Sequence, residues 1–205
     1  MTWPFKGIAA AFPRSDLNTD VIYPQSFLRR TDIASMDRHL FHSLRFRADG
    51  SAEPDFVLNR DPWTGASILI AGRNVGCGSS REHAVWALKA FGIRCVVSSL
   101  FADIFKANCL NNGVAPVTIT ETDLNACLAA AHDPTRCVFV VDVANAALVH
   151  DDLGSIAFDL APADRQRILE ARDSIDGTLE HESAIAAHEQ RSAAAMPWLS
   201  LGGAS

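Results

Sequence analysis

Positive charge is scarce in this sequence: 18 Lys and Arg against 24 Asp and Glu leave a net charge of −6 over 205 residues. That balance argues against the basic footprint of a nucleic-acid binder or an anionic-membrane reader, and the mild acidic excess reads as a solvated surface. Long hydrophobic runs are also missing. No stretch approaches the roughly 18 apolar residues that a membrane span requires. The N-terminal MTWPFKGIAAAF has too short an apolar run for a secretory signal and no basic n-region, so the expected compartment is the cytoplasm. Cysteine pairs in metal-binding spacing are absent as well. Cys77, Cys95, Cys109, Cys127 and Cys137 are an odd set without a CxxC, mostly inside apolar segments where a thiol acts as a small buried hydrophobe. The pattern excludes a disulfide framework and a complete metal site in this chain; any iron in its chemistry has to be held by something else.

What is present is ordinary globular material, 48% hydrophobic and 20% charged, enough for one domain with a helical tail. The core is expected over about residues 1–160 and the tail over about 161–205. Residues 5–12 read as a first strand ended by Pro13, and residues 27–46 are weakly helical and basic. Residues 48–65, rich in Gly, Pro and Asp, form a turn-filled connection. Strand and helix then alternate. SILIA at 67–71, CVVS at 95–98 and residues 114–120 are strand runs; Ala84, Leu88 and Phe91 recur at helical spacing, as do residues 100–110 and 121–132. Residues 137–143 and 155–160 read as later strands, and beyond Pro162 the chain turns helical and alanine-rich. The order predicts an α/β fold with helices layered over a sheet.

The chemistry concentrates in NVGCGSSREHAVWAL, residues 74–88, between a predicted strand and a predicted helix. Gly76 and Gly78 permit positive φ and close approach of a ligand. Ser79 or Ser80 opens the helix, whose free N–H groups favour an anion, and Arg81 adds a planar fork suited to a carboxylate. Ser79 with Glu82 three residues later is also a capping box, which starts many helices that have no function. The two roles are compatible. A phosphate loop lacks its Lys-Ser/Thr pair here, and a Cys77 nucleophile with His83 as base lacks an orienting third residue. Upstream, Asn18-Thr19-Asp20 forms a polar cluster in which Asp20 either serves the site or closes its own turn. Downstream, Asn108, Asn111 and Asn112 read as turn and cap residues.

Taken in order, LNTDVIYPQSFL from Leu17, residues 74–88 and FADIFKANCLNNGVAP from Phe101 resemble the small subunits of 3-isopropylmalate dehydratase (isopropylmalate isomerase). The same pattern occurs in the mobile C-terminal domain of aconitase. The resemblance runs from about Phe5 to the C-terminal MPWL. It implies an aconitase-type swivelling β/β/α domain that closes over a [4Fe–4S] cluster held by a separate large subunit, with none bound by this chain. It further implies Ser79 as the base that takes the proton next to a carboxylate, Arg81 as the carboxylate grip, Asp20 as part of the charge network, and Gly78 and Ser80 in the same pocket. A serine hydroxyl is a weak base, so a helix N-terminus and an arginine in a water-poor site are what would make it one.

The family pattern is broken in places. A TGFG-like stretch is replaced by Ala34, Ser35, Met36 and Asp37, a tryptophan by Leu44, and an aliphatic residue by Tyr23. A GLDDIGLTL-like run becomes ARDSIDGTL at 171–179. These departures leave the catalytic turn whole and bear on the substrate, so Tyr23 and the loop at 31–38 are candidate contacts to its side chain. A sister dehydratase acting on a methyl-substituted malate or maleate is the alternative; a non-catalytic RNA-binding or regulatory module fits the acidic charge poorly.

Overall fold

The protein is represented by a computed structural model that describes residues 2–29, 32–79, 81–170 and 182–196. Thr31, Ser80 and the altered run at 171–179 therefore lie outside the described residues. The chain forms two compact units, Met1–Ala171 and Arg172–Ser205. In the second unit the helix Glu182–Ala195 is described.

In the first unit a seven-stranded sheet is organised around its middle strand, β1 (Phe5–Phe12). The C-terminal half of β1 pairs parallel with β3 (Ile68–Ala71), while its N-terminal half pairs antiparallel with β7 (Val138–Asp142). Beyond β3 follow β5 (Cys95–Ser98) and β6 (Ala115–Thr118), both parallel. Beyond β7 follow β8 (Ala147–His150) and β9 (Gly154–Ala157), both antiparallel. A separate two-stranded ladder joins β2 (Leu17–Asn18) to β4 (Val75–Cys77).

The parallel half is covered on both faces, which explains why its strands read as unbroken apolar runs. Ala10, Leu69 and Val96 join one core with Ala84, Val85 and Leu88 of α3 (Glu82–Phe91) and Phe105 and Cys109 of α4 (Asp103–Asn111). Ala9, Ile68, Ile70 and Val97 join another with Leu124, Cys127 and Ala131 of α5 (Glu121–His132). The single expected helical layer is thus two layers, because side chains alternate across each strand and both sets are apolar. Ile168 of α6 (Pro162–Glu170) is buried in the second core, so this helix, expected with the tail, belongs to the first unit.

Burial governs the cysteines. Desolvation pushes the thiols of Cys95 and Cys109 far above their ordinary range and that of Cys127 up to about 12, with Asp123 adding to the last. Such thiols are inert packing groups.

Candidate active site

The three motif blocks meet because each follows the C-terminal end of a parallel strand: residues 13–20 after β1, 72–81 after β3 and 99–102 after β5. Ligands of open α/β sheets bind at this edge. The glycine turn contains a strand that its sequence does not announce. β4 pairs with β2, Leu17 opposite Val75 and Asn18 opposite Cys77. On its other side the Val75 N–H donates to the Leu100 carbonyl at 3.0 Å, and the Ala102 N–H donates to the Val75 carbonyl at 2.9 Å.

The two glycines are required by space as well as by φ. At Gly76 (φ +81°) an added Cβ would lie 2.1 Å from Cγ of Phe105, and at Gly78 (φ +88°) it would lie 2.5 Å from Nδ2 of Asn18. The turn is pressed between α4 and the Asn18-Thr19-Asp20 cluster. Asn18 caps the short helix α1 (Thr19–Ile22), its Oδ1 accepting from the Asp20 N–H at 2.8 Å. The Thr19 hydroxyl donates to the Ser79 carbonyl at 2.7 Å. Arg81 donates through Nη1 to the Asp20 carboxylate; its side chain is 13% exposed against 43% for Asp20. Ser79 and Gly78 themselves are exposed.

The expected capping box does not form. Arg81, at φ −132° and ψ 112°, is the N-cap of α3 and makes no side-chain cap bond, so the helix begins two residues after Ser80. The extended backbone at Arg81 carries Ser79 away from the position a cap would occupy. Glu82, free of the box, accepts at Oε1 from Nδ2 of Asn112 at 2.8 Å; Oδ1 of Asn112 accepts from the Trp86 indole at 3.0 Å. Asn112 also donates to the Asn108 carbonyl at 2.9 Å, so the asparagine expected only to close α4 ties that helix to the first turns of α3.

Tyr23 does not reach the turn surface. It is fully buried, its hydroxyl donating to the Phe27 carbonyl at 3.3 Å and its ring stacked 6.1 Å from His83. The His83 ring in turn lies 4.8 Å from Trp86. No hydrogen bond joins Cys77 to His83 among the described residues, which leaves the nucleophile–base pair without support. Residues 33–39 form a 3₁₀ segment, Ile33–His39, seated on α3 with Met36 fully buried. A cleft of about 540 Å³ lined by Phe12, Pro13, Arg14, Leu44, Glu53, Asp55 and Phe56 contains none of the expected site residues.

Among the described residues no group of three or more His, Cys, Asp or Glu side chains is placed to hold a metal. The buried thiols among the described residues, raised as above, do not fit a cluster as its ligands.

Comparison with known proteins shows the family of the chain. The model of the aconitase C-terminal domain matches residues 3–122, and that of the C-terminal domain of the 3-isopropylmalate dehydratase small subunit matches residues 175–201. The small subunit of 3-isopropylmalate dehydratase from Rhizobium etli is 43% identical over 192 residues, covering 94% of this chain and 95% of the relative. That of Paramagnetospirillum magneticum is 40% identical over 193 residues, covering 94% and 96%. The crystal structure of a 3-isopropylmalate dehydratase from Methanocaldococcus jannaschii superposes with a TM-score of 0.64 at 26% identity, covering 90% of this chain and 98% of that one. The chain belongs to the family of 3-isopropylmalate dehydratase small subunits, hydro-lyases built on the aconitase C-terminal domain.

Proposed function

We propose that this chain supplies the base and the carboxylate grip of a two-chain hydro-lyase that interconverts 2-isopropylmalate and 3-isopropylmalate in leucine biosynthesis. Its partner is a separate large subunit that carries the [4Fe–4S] cluster, and the chain is inactive alone. The observation that carries this reading is the exposed Ser79 two residues before Arg81, the α3 N-cap, whose guanidinium is already oriented by Asp20. A turn that is exposed yet this firmly held supports a site completed by another chain.

Within that site the division of labour follows from donor chemistry. Arg81 uses one nitrogen on Asp20 and keeps further N–H donors for a substrate carboxylate. The free N–H groups at the start of α3 add positive potential, and Gly78 lets backbone close on the ligand. Ser79 Oγ, as the alkoxide, takes the proton from the carbon next to the carboxylate as hydroxide leaves the neighbouring carbon, the Lewis acidity that draws it off being what the partner's cluster would supply. Returning proton and hydroxyl to the opposite carbons completes the isomerisation. Ser80, outside the described residues, contributes to the same pocket in this reading. Tyr23 shapes it from beneath through His83.

Because the departures at residues 34–37 fall on the 3₁₀ segment packed against α3, a second reading keeps the same chemistry on a methyl-substituted malate or maleate. The reading carries with it a cytoplasmic location and no nucleic-acid or membrane partner. No helix among the described residues is long and apolar enough to cross a membrane.

Arg81→Lys tests the grip. Lysine carries the charge but cannot face Asp20 and a carboxylate with one planar fork. Loss of one hydrogen bond to a charged group is worth roughly 1.5–3 kcal/mol, so KM of the reconstituted enzyme should rise about 10- to 100-fold. kcat should change less. Steady-state kinetics decide it: an unchanged KM removes Arg81 from the carboxylate.

A further inference from the structure

The Asn18-Thr19-Asp20 segment holds the turn at three consecutive places: Asn18 beneath Gly78, Thr19 on the carbonyl of Ser79, and Asp20 on Arg81. Of these, the threonine has no role in the chemistry proposed above. Thr19 is 1% exposed, one of three buried polar residues among those described, and its hydroxyl spans 60 positions of sequence to reach Ser79. The Ser79 side chain is exposed and makes no hydrogen bond among the described residues. The direction of its Oγ is therefore set by the backbone that carries it. Gly78, at φ +88°, swings the chain outward immediately before Ser79, and the α3 N-cap begins only at Arg81. Between those points the Thr19 bond is the one side-chain anchor on the Ser79 peptide among the described residues.

We infer that Thr19 is a positioning residue that aims Ser79 Oγ at the substrate proton by fixing the Ser79 carbonyl. This rests on the reading of Ser79 as the base. Reacting groups need alignment within a fraction of an ångström, and a misplacement near 1 Å costs on the order of 10²-fold in rate. A buried threonine that only filled space would show its loss in stability; one that aims a base shows it in kcat.

The test uses the reconstituted two-chain enzyme. Thr19→Val keeps the shape and removes the donor, while Thr19→Ser keeps the donor and removes a methyl. The expected result for Thr19→Val is a kcat lowered roughly 10- to 100-fold with KM within about twofold of wild type. Thr19→Ser should restore kcat to within a few-fold. In a Ser79→Ala background Thr19→Val should cost almost nothing further, because the two residues act as one unit. Wild-type kcat in Thr19→Val, failure of Thr19→Ser to restore it, an additive loss in the double variant, or a Thr19→Val chain that does not fold would each overturn the inference. The base and its anchor fail separately. Near-normal turnover in Ser79→Ala removes the base itself, whereas an impaired Ser79→Ala beside an unimpaired Thr19→Val removes only the role of Thr19.

Discussion

Ser79→Ala is expected to lower kcat of the reconstituted enzyme on the order of 10²-fold or more, the scale lost with a positioned base, while the chain melts like the wild type. The sequence alone predicts otherwise for stability, since a Ser79–Glu82 capping box would forfeit about 1 kcal/mol with the serine. The structure removes that cost: α3 is entered through Arg81 with no side-chain cap, and Ser79 is exposed without a hydrogen bond among the described residues. Ser79→Asn should behave as Ser79→Ala does, catalytically dead and thermally intact, because no cap is lost and an amide cannot serve as the base. KM should move less than kcat in both, since the carboxylate grip proposed for Arg81 and the helix N-terminus is left in place. Thermal melts and steady-state kinetics on the same preparations separate the terms. A variant that turns over near the wild-type rate would remove Ser79 from the chemistry; one that melts early would restore the cap.

The largest stability loss is expected at Gly76. Its φ of +81° would place a Cβ 2.1 Å from Cγ and 2.2 Å from Cβ of Phe105, atoms close to the α4 backbone that cannot swing away. Left-handed backbone costs a residue with a Cβ roughly 1–2 kcal/mol. Forcing an atom into a filled core adds about 1–3 kcal/mol, so Gly76→Ala should destabilise by roughly 2–5 kcal/mol. Gly113 supplies the control: it sits at φ +70° with nothing within 4 Å, so Gly113→Ala should show the backbone cost alone. Urea midpoints of the two variants measure the difference. Equal losses would mean that Phe105 gives way and that the turn is not pinned between α4 and the Asn18 cluster.

The contrast between two helices shows how far sequence carries. At α5, Thr120 accepts from the Asp123 N–H at 3.1 Å, and the helix spans the residues 121–132 that its spacing predicts. At α3 the same kind of spacing misleads, because Val75–Cys77 is drawn into a ladder with Leu17–Asn18 and the chain stays extended through Arg81. A strand of three residues with a glycine at its centre has no periodicity to read, and its partner lies far away in sequence. β8 goes unannounced for a similar reason: ALVH is too short to stand out between turns. The weakly helical stretch at 27–46 resolves into 3₁₀ segments and the four-residue helix His42–Arg45, fixed by burial of Met36, Leu40 and Phe41 rather than by helical repetition.

For the site, residue types are legible in the sequence and contacts are not. Ser79, Arg81 and Asp20 stand out because their chemistry is specific. The Asp20–Arg81 pair, the Thr19 anchor and the Asn112 tie to Glu82 and Trp86 arise only when three strand ends are brought side by side. Thr19 carries no signal of its own: a threonine in a polar cluster is ordinary, and only its burial against the Ser79 carbonyl distinguishes it. Tyr23, where a departure from the family pattern suggests a substrate contact, is buried and stacked on His83 in the described structure.

The most direct measurement is the interconversion of 2- and 3-isopropylmalate by this chain, by the cluster-loaded large subunit of a 3-isopropylmalate dehydratase, and by the two together. Turnover in the mixture alone, lost when Ser79→Ala replaces the wild-type chain, is the result predicted here. Turnover by the chain by itself, stoichiometric [4Fe–4S] binding to it without a partner, or a mixture no faster than the large subunit alone would contradict the claim that this chain is the base-bearing half of a shared site.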